Sequence, residues 1–128
     1  MKPVSAEFCL KFAALSGLCA VVLGAFGAHA LKNHLSVVLM HTYQTAVLYQ
    51  FVHTLALIAV ALVHQAQPER PYLRASALSF MAGIVLFSGS LYALALTGVR
   101  GLGMITPIGG LCFIAAWLLF WLALFRKN

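Results

Sequence analysis

Acid is what this sequence has least of. Among 128 residues only Glu7 and Glu69 carry a carboxylate side chain, and each falls near the end of an apolar run. A mechanism built on paired carboxylates is therefore excluded by inventory. Charge of either sign is scarce, at 8% of residues, while 63% are hydrophobic and the mean hydropathy is +1.00. An average soluble chain is about 25% charged, so the composition is that of an integral membrane protein. Cysteine is sparse too: Cys9, Cys19 and Cys112 show no C-x-x-C and no metal-ligand spacing, and read as small buried hydrophobes. His29, His34 and His41 fit no compact ligand pattern and have no cysteine or carboxylate beside them, so no metal site is expected. The formal charge of +6 comes from dispersed Lys and Arg that form no basic stripe. Nucleic acid is not the partner these charges indicate; membrane topology and anionic lipid account for them.

What is present is four apolar runs, at about residues 12–31, 43–64, 72–97 and 104–125, each near the ~20 residues a helix needs to cross the hydrocarbon layer. The first imitates a secretory leader, with Ala28-His29-Ala30 in the place of a cleavage site. Three further spans follow it, and it reads as the first transmembrane helix. Gln65 to Pro71 is the one clearly polar linker, and its two prolines stop the flanking helices. The expected fold is all-α: residues 1–128 form one membrane domain, an antiparallel four-helix bundle embedded in the lipid bilayer. Lys2, Lys11, Arg70, Arg74, Arg126 and Lys127 share one side, and Lys32 and Arg100 the other. Six against two places both termini in the cytoplasm.

The second run carries the chemical oddity, because Tyr49, Gln50 and His53 stand near its middle, where polar side chains are costly unless they face other helices or a wet cavity. At about 1.5 Å per residue, His53 lies near the midplane and Gln50 one turn further out. The antiparallel third run then brings Ser88 and Ser90 to the depth of Gln50, with Tyr92 closer to the outer surface. These six residues, Tyr49, Gln50, His53, Ser88, Ser90 and Tyr92, form the candidate polar pocket. Gly17, Gly24, Gly27 and Ala28 in the first run, Gly89 in the third and Gly109 and Gly110 in the fourth are expected to let helices approach closely. Gly89 in particular is expected to meet the central helix at the level of Gln50. His53 is expected to point inward, neutral, and to bond Gln50, a serine of the third span or a bound molecule.

Four segments carry a resemblance: Leu23-Gly24-Ala25-Phe26-Gly27-Ala28-His29-Ala30-Leu31, Tyr49-Gln50-Phe51-Val52-His53-Thr54-Leu55-Ala56, Leu86-Phe87-Ser88-Gly89-Ser90-Leu91-Tyr92 and Thr106-Pro107-Ile108-Gly109-Gly110. In this order, one per span, they resemble the family called domain of unknown function 423, whose eukaryotic relatives are known as transmembrane protein 256. The resemblance implies a small multi-pass protein of the bacterial inner membrane and assigns no reaction. Two function classes stand beside each other. One is a structural, accessory or assembly component of a larger membrane complex or a homo-oligomer. The other is a binder of haem, quinone or lipid in the polar pocket. No resident cofactor is expected from the residues themselves. Catalysis is not expected either, because Ser88 or Ser90 with His53 would lack an orienting acid.

Overall fold

The structure, a computed structural model, describes residues 4–126; Lys2 and Lys127 of the charge count lie outside them. The described residues are helical, with four helices long and apolar enough to cross a membrane: Ala6–Leu31, Val37–Ala66, Leu73–Thr97 and Arg100–Phe125.

Local chemistry explains why the helices outrun the apolar runs. Ser5 accepts the Phe8 amide at 3.2 Å and Ser36 accepts the Leu39 amide at 3.2 Å, so each serine caps a helix that starts about two turns before its uncharged stretch. In the second helix the Thr42 and Thr45 hydroxyls fold back onto the carbonyls of Val38 and His41, which satisfies them without breaking the helix. The expected loop over residues 32–42 thus shrinks to residues 32–36, and His41 and Thr42 are helical. At the other ends the chain stops where expected. Gln67 caps the second helix just before Pro68, and Gly98 closes the third with φ of 70°, a left-handed conformation that glycine adopts freely. Tyr72 takes φ of 68° at the entry to the third helix, an uncommon position for an aromatic residue. Pro107 sits in the first turn of the last helix, where its missing amide costs nothing.

Two helices widen into a single π-type turn, Gly27–Leu31 in the first and Ile84–Ser88 in the third. Neither distortion has a sequence signal.

The second span is the centre of the molecule. In its most apolar window 44% of residues are buried, against 22% in the first and fourth spans. The first span packs along the second, the third packs on both the second and the fourth, and the first shares no comparable face with the fourth. The expected bundle is therefore an open succession of neighbours. Its apolar core sits in the half nearer the two ends of the chain, where Cys9 and Ala13, Leu57, Val60 and Ala61, Leu73, Ala77 and Phe80, and Ala116 and Ala123 form one buried cluster. Large apolar side chains such as Leu15, Leu18, Val21 and Val22 cover the outer face of the first span. In water they would be a liability; in hydrocarbon they are the solvated surface.

Candidate functional site: two polar faces of the second span

Gln50 is buried and spends its amide completely on two neighbouring spans. Its Nε2 donates to the Ser16 carbonyl at 3.0 Å and lies 3.3 Å from the Ser16 hydroxyl. Its Oε1 accepts the Tyr92 hydroxyl at 2.7 Å. Ser16 in turn is 2.7 Å from the Thr54 hydroxyl, so four side chains from three spans close one network. Tyr43 extends it: its ring meets Tyr92 edge-on with centroids 5.3 Å apart, and its hydroxyl donates to the Leu23 carbonyl at 2.5 Å. Ser88 anchors the same region from the third span, donating to the Ala46 carbonyl at 2.8 Å from within the π turn. A groove of about 330 Å³ opens between the first and third spans, lined by Gln50, Ser16 and Tyr92 together with Phe12, Leu15 and Val85.

His53 belongs to a different surface. Its ring stacks on Phe113 of the fourth span, centroids 3.5 Å apart and 10° from parallel, with Trp117 edge-on at 6.2 Å. Tyr49 stacks on Phe87 at 4.4 Å beside it. The His53 Nδ1 is 2.7 Å from the Tyr49 carbonyl. A carbonyl only accepts, so the proton is on Nδ1 and the Nε2 lone pair is free. The expected bond to Gln50 or a third-span serine is thus replaced by one within the helix, one turn back. Tyr49 and His53 line a separate pocket of about 340 Å³ with Leu48 and Val52.

The six candidate residues therefore do not share one pocket. Gln50, Tyr92 and Ser88 gather on the side of the first span, and Tyr49 and His53 on the side of the fourth. Ser90 goes elsewhere again, 2.6 Å from the Thr106 hydroxyl while also donating to the Phe87 carbonyl at 3.0 Å. Sequence reasoning passed over Ser16, Tyr43, Thr54, Ser76 and Thr106. Thr54 was within reach, four residues from Gln50 on the same helical face. Ser76, which donates to the Ala116 carbonyl at 2.8 Å, offered no such clue. His64 was also passed over; it is buried, and its Nδ1 has no partner. The three histidines near the first loop are exposed. Among the described residues, no three His, Cys, Asp or Glu side chains converge as metal ligands would.

The small residues sort unequally. A methyl at Gly109 would collide with the Phe87 backbone, and one at Gly27 with the Tyr43 ring. A methyl at Gly24 would lie 3.4 Å from Val47, one at Gly110 3.9 Å from the Phe87 ring and one at Gly17 3.8 Å from Thr54, all without collision. Gly89 and Ala28 depart from expectation. A Cβ at Gly89 would have nothing within 4 Å, because the π turn before it directs Ser88 at the second span and leaves Gly89 on the open groove. Ala28 is exposed and lines a groove together with Gly24 and Gly27. Gly83, not singled out from the sequence, is closed against the Phe113 ring. Of the cysteines only Cys9 is buried; Cys19 is exposed in the first groove.

Comparison with known proteins gives a consistent relationship. Residues 23–110 match the family described as "Protein of unknown function (DUF423)". The chain is 44% identical over 117 residues to the UPF0382 inner membrane protein YgdD of Escherichia coli K12, covering 91% of this chain and 88% of that one. It is 43% identical over 113 residues to the UPF0382 membrane protein SSP2132 of Staphylococcus saprophyticus, covering 88% and 92%. A UPF0382 membrane protein of Staphylococcus epidermidis is 48% identical over 105 residues, with 82% and 84% covered. No solved structure matches.

Proposed function

Since the chain belongs to the DUF423 family of multi-pass membrane proteins of unknown function, we propose from its own residues that it is a non-catalytic structural or assembly component of the inner membrane. It would associate with further copies of itself or with a larger membrane complex. The observation that carries this reading is the Gln50 network. Hydrogen-bonding groups at mid-membrane depth are expensive, and here Ser16, Gln50, Thr54 and Tyr92 are consumed in fixing three spans to one another. The outward surfaces are aliphatic, and the connections between spans are short. Such a body has little to offer a soluble substrate and much lateral surface for other helices. Both termini face the cytoplasm in this reading, by the charge asymmetry, and a reporter fused to the C-terminus should report a cytoplasmic location. The central test is native mass after gentle extraction. Species heavier than one 13.8 kDa chain plus lipid are expected, and a strictly monomeric protein at membrane-like concentration sinks the reading.

A second reading, a binder of a small apolar or redox molecule such as haem, quinone or lipid, is favoured by one observation. Unlike Gln50, His53 keeps an unspent nitrogen next to a pocket.

A further inference from the structure

The pocket beside His53 has a definite chemistry. His53 is only 6% exposed, its proton is held on Nδ1 by the Tyr49 carbonyl, and no hydrogen bond among the described residues reaches Nε2. An imidazole oriented in this way by its second nitrogen presents a fixed acceptor. The Tyr49 hydroxyl, also without a hydrogen-bond partner among the described residues, lines the same pocket. Stacked rings back both residues: Phe113 lies against His53 and Phe87 against Tyr49. The pocket volume of about 340 Å³ is at the lower end of the range that holds small molecules, roughly 300–1,000 Å³.

Depth selects the occupant. His53 stands close to the middle of the helix Val37–Ala66, about 15 Å from either face of a hydrocarbon layer about 30 Å thick. Phospholipid headgroups do not descend that far, because desolvating them costs too much. What can reach the site is a molecule whose hydroxyl rides on an apolar skeleton, and the Tyr49 and His53 rings that line the pocket beside Leu48 and Val52 favour a flat ring over a chain.

We propose that this pocket binds the ring of a membrane quinol, with a phenolic hydroxyl donating to the Nε2 of His53. The site rests on the second reading above and names its ligand class. It is a binding site; no electron or proton transfer is part of it.

Trp117 supplies the readout, since its ring lies edge-on to His53. In full-length protein in detergent, with Trp121→Phe leaving Trp117 as the sole tryptophan, a decyl-chain benzoquinol kept reduced should change the fluorescence saturably. Its dimethyl ether, which keeps the ring and loses the donor, should bind about tenfold more weakly. Decanol, a hydroxyl without a ring, should be weaker still. His53→Phe keeps a ring on Phe113 and removes the acceptor, and should lower quinol affinity to that of the ether without moving the ether's own affinity. Equal affinity of quinol and ether, or decanol binding as tightly as quinol, overturns the quinol assignment while leaving a binding pocket. No saturable response to any of the three overturns the binding reading as well. A haem absorption band in protein purified from its native membrane would give Nε2 to iron and overturn the proposal by another route. Because quinol and ether are compared on unaltered His53, the result does not depend on how well the variant folds.

Discussion

The two polar faces of the second span, three residues apart, use the same resource in opposite ways. Gln50 has an amide that donates and accepts, and both ends are taken by other spans. His53 turns its donor onto its own helix and gives the fourth span only the flat of its ring. The first face is thus directional, fixing depth and rotation of three helices through bonds that tolerate little displacement. The second is held by stacked rings, which allow sliding and leave a nitrogen unspent. Residue type alone does not tell these roles apart; what decides is whether a neighbouring span reaches the polar atom.

The largest expected effect lies between the third and fourth spans. Gly109→Ala would press a methyl into the backbone of Phe87, which cannot swing aside as a side-chain end can. A loss of about 3 kcal/mol, the upper end for overpacking, should appear as a lowered unfolding midpoint in detergent. An unchanged midpoint would mean that the third and fourth spans slide freely.

Breaking the directional face should cost somewhat less. Gln50→Leu strips the partners of Tyr92 and Ser16 at once, and about 2 kcal/mol is expected, within the range for buried groups left unpaired. Tyr92→Phe removes one bond of the same network and should cost about 1 kcal/mol. Combined, the two substitutions should cost clearly less than their sum, since they remove the same bond. Full additivity would dissolve the contrast between the faces.

On the stacked face the same kind of change should be mild. His53→Phe retains the contact with Phe113 and should stay within about 1 kcal/mol of the wild type. A loss as large as that of Gln50→Leu would show that Nε2 has a partner within the protein and that the two faces are alike.

Gly89 gives the smallest expected effect. Gly89→Ala should be neutral or slightly stabilising, because the added methyl meets nothing and alanine is the better helix former by roughly 1 kcal/mol. The sequence expectation was the reverse. It placed Gly89 at the right depth but on the wrong side of its helix, since the π turn over Ile84–Ser88 rotates everything after it. Depth along an axis is a count of residues, and rotation about the axis accumulates every distortion that precedes the position. For the same reason the candidate pocket was legible as a depth layer and illegible as a set of contacts.

Four spans, their order and their stopping points follow from the sequence alone, because hydrocarbon forces backbone bonds inside each segment and prolines and glycines end the segments locally. The polar residues at mid-depth, Gln50 and His53, were equally plain, since their cost in lipid depends on position and type. Only the tertiary structure decided which span each would face, that Tyr92 and Ser16 would close on Gln50, that Gly83 rather than Gly89 would carry the close approach of the third span, and that the first span would stand apart from the fourth. Those outcomes depend on rotations of tens of degrees between helices whose apolar surfaces are nearly uniform, and with lipid as apolar as the core, no hydrophobic stripe exists in the chain to announce them.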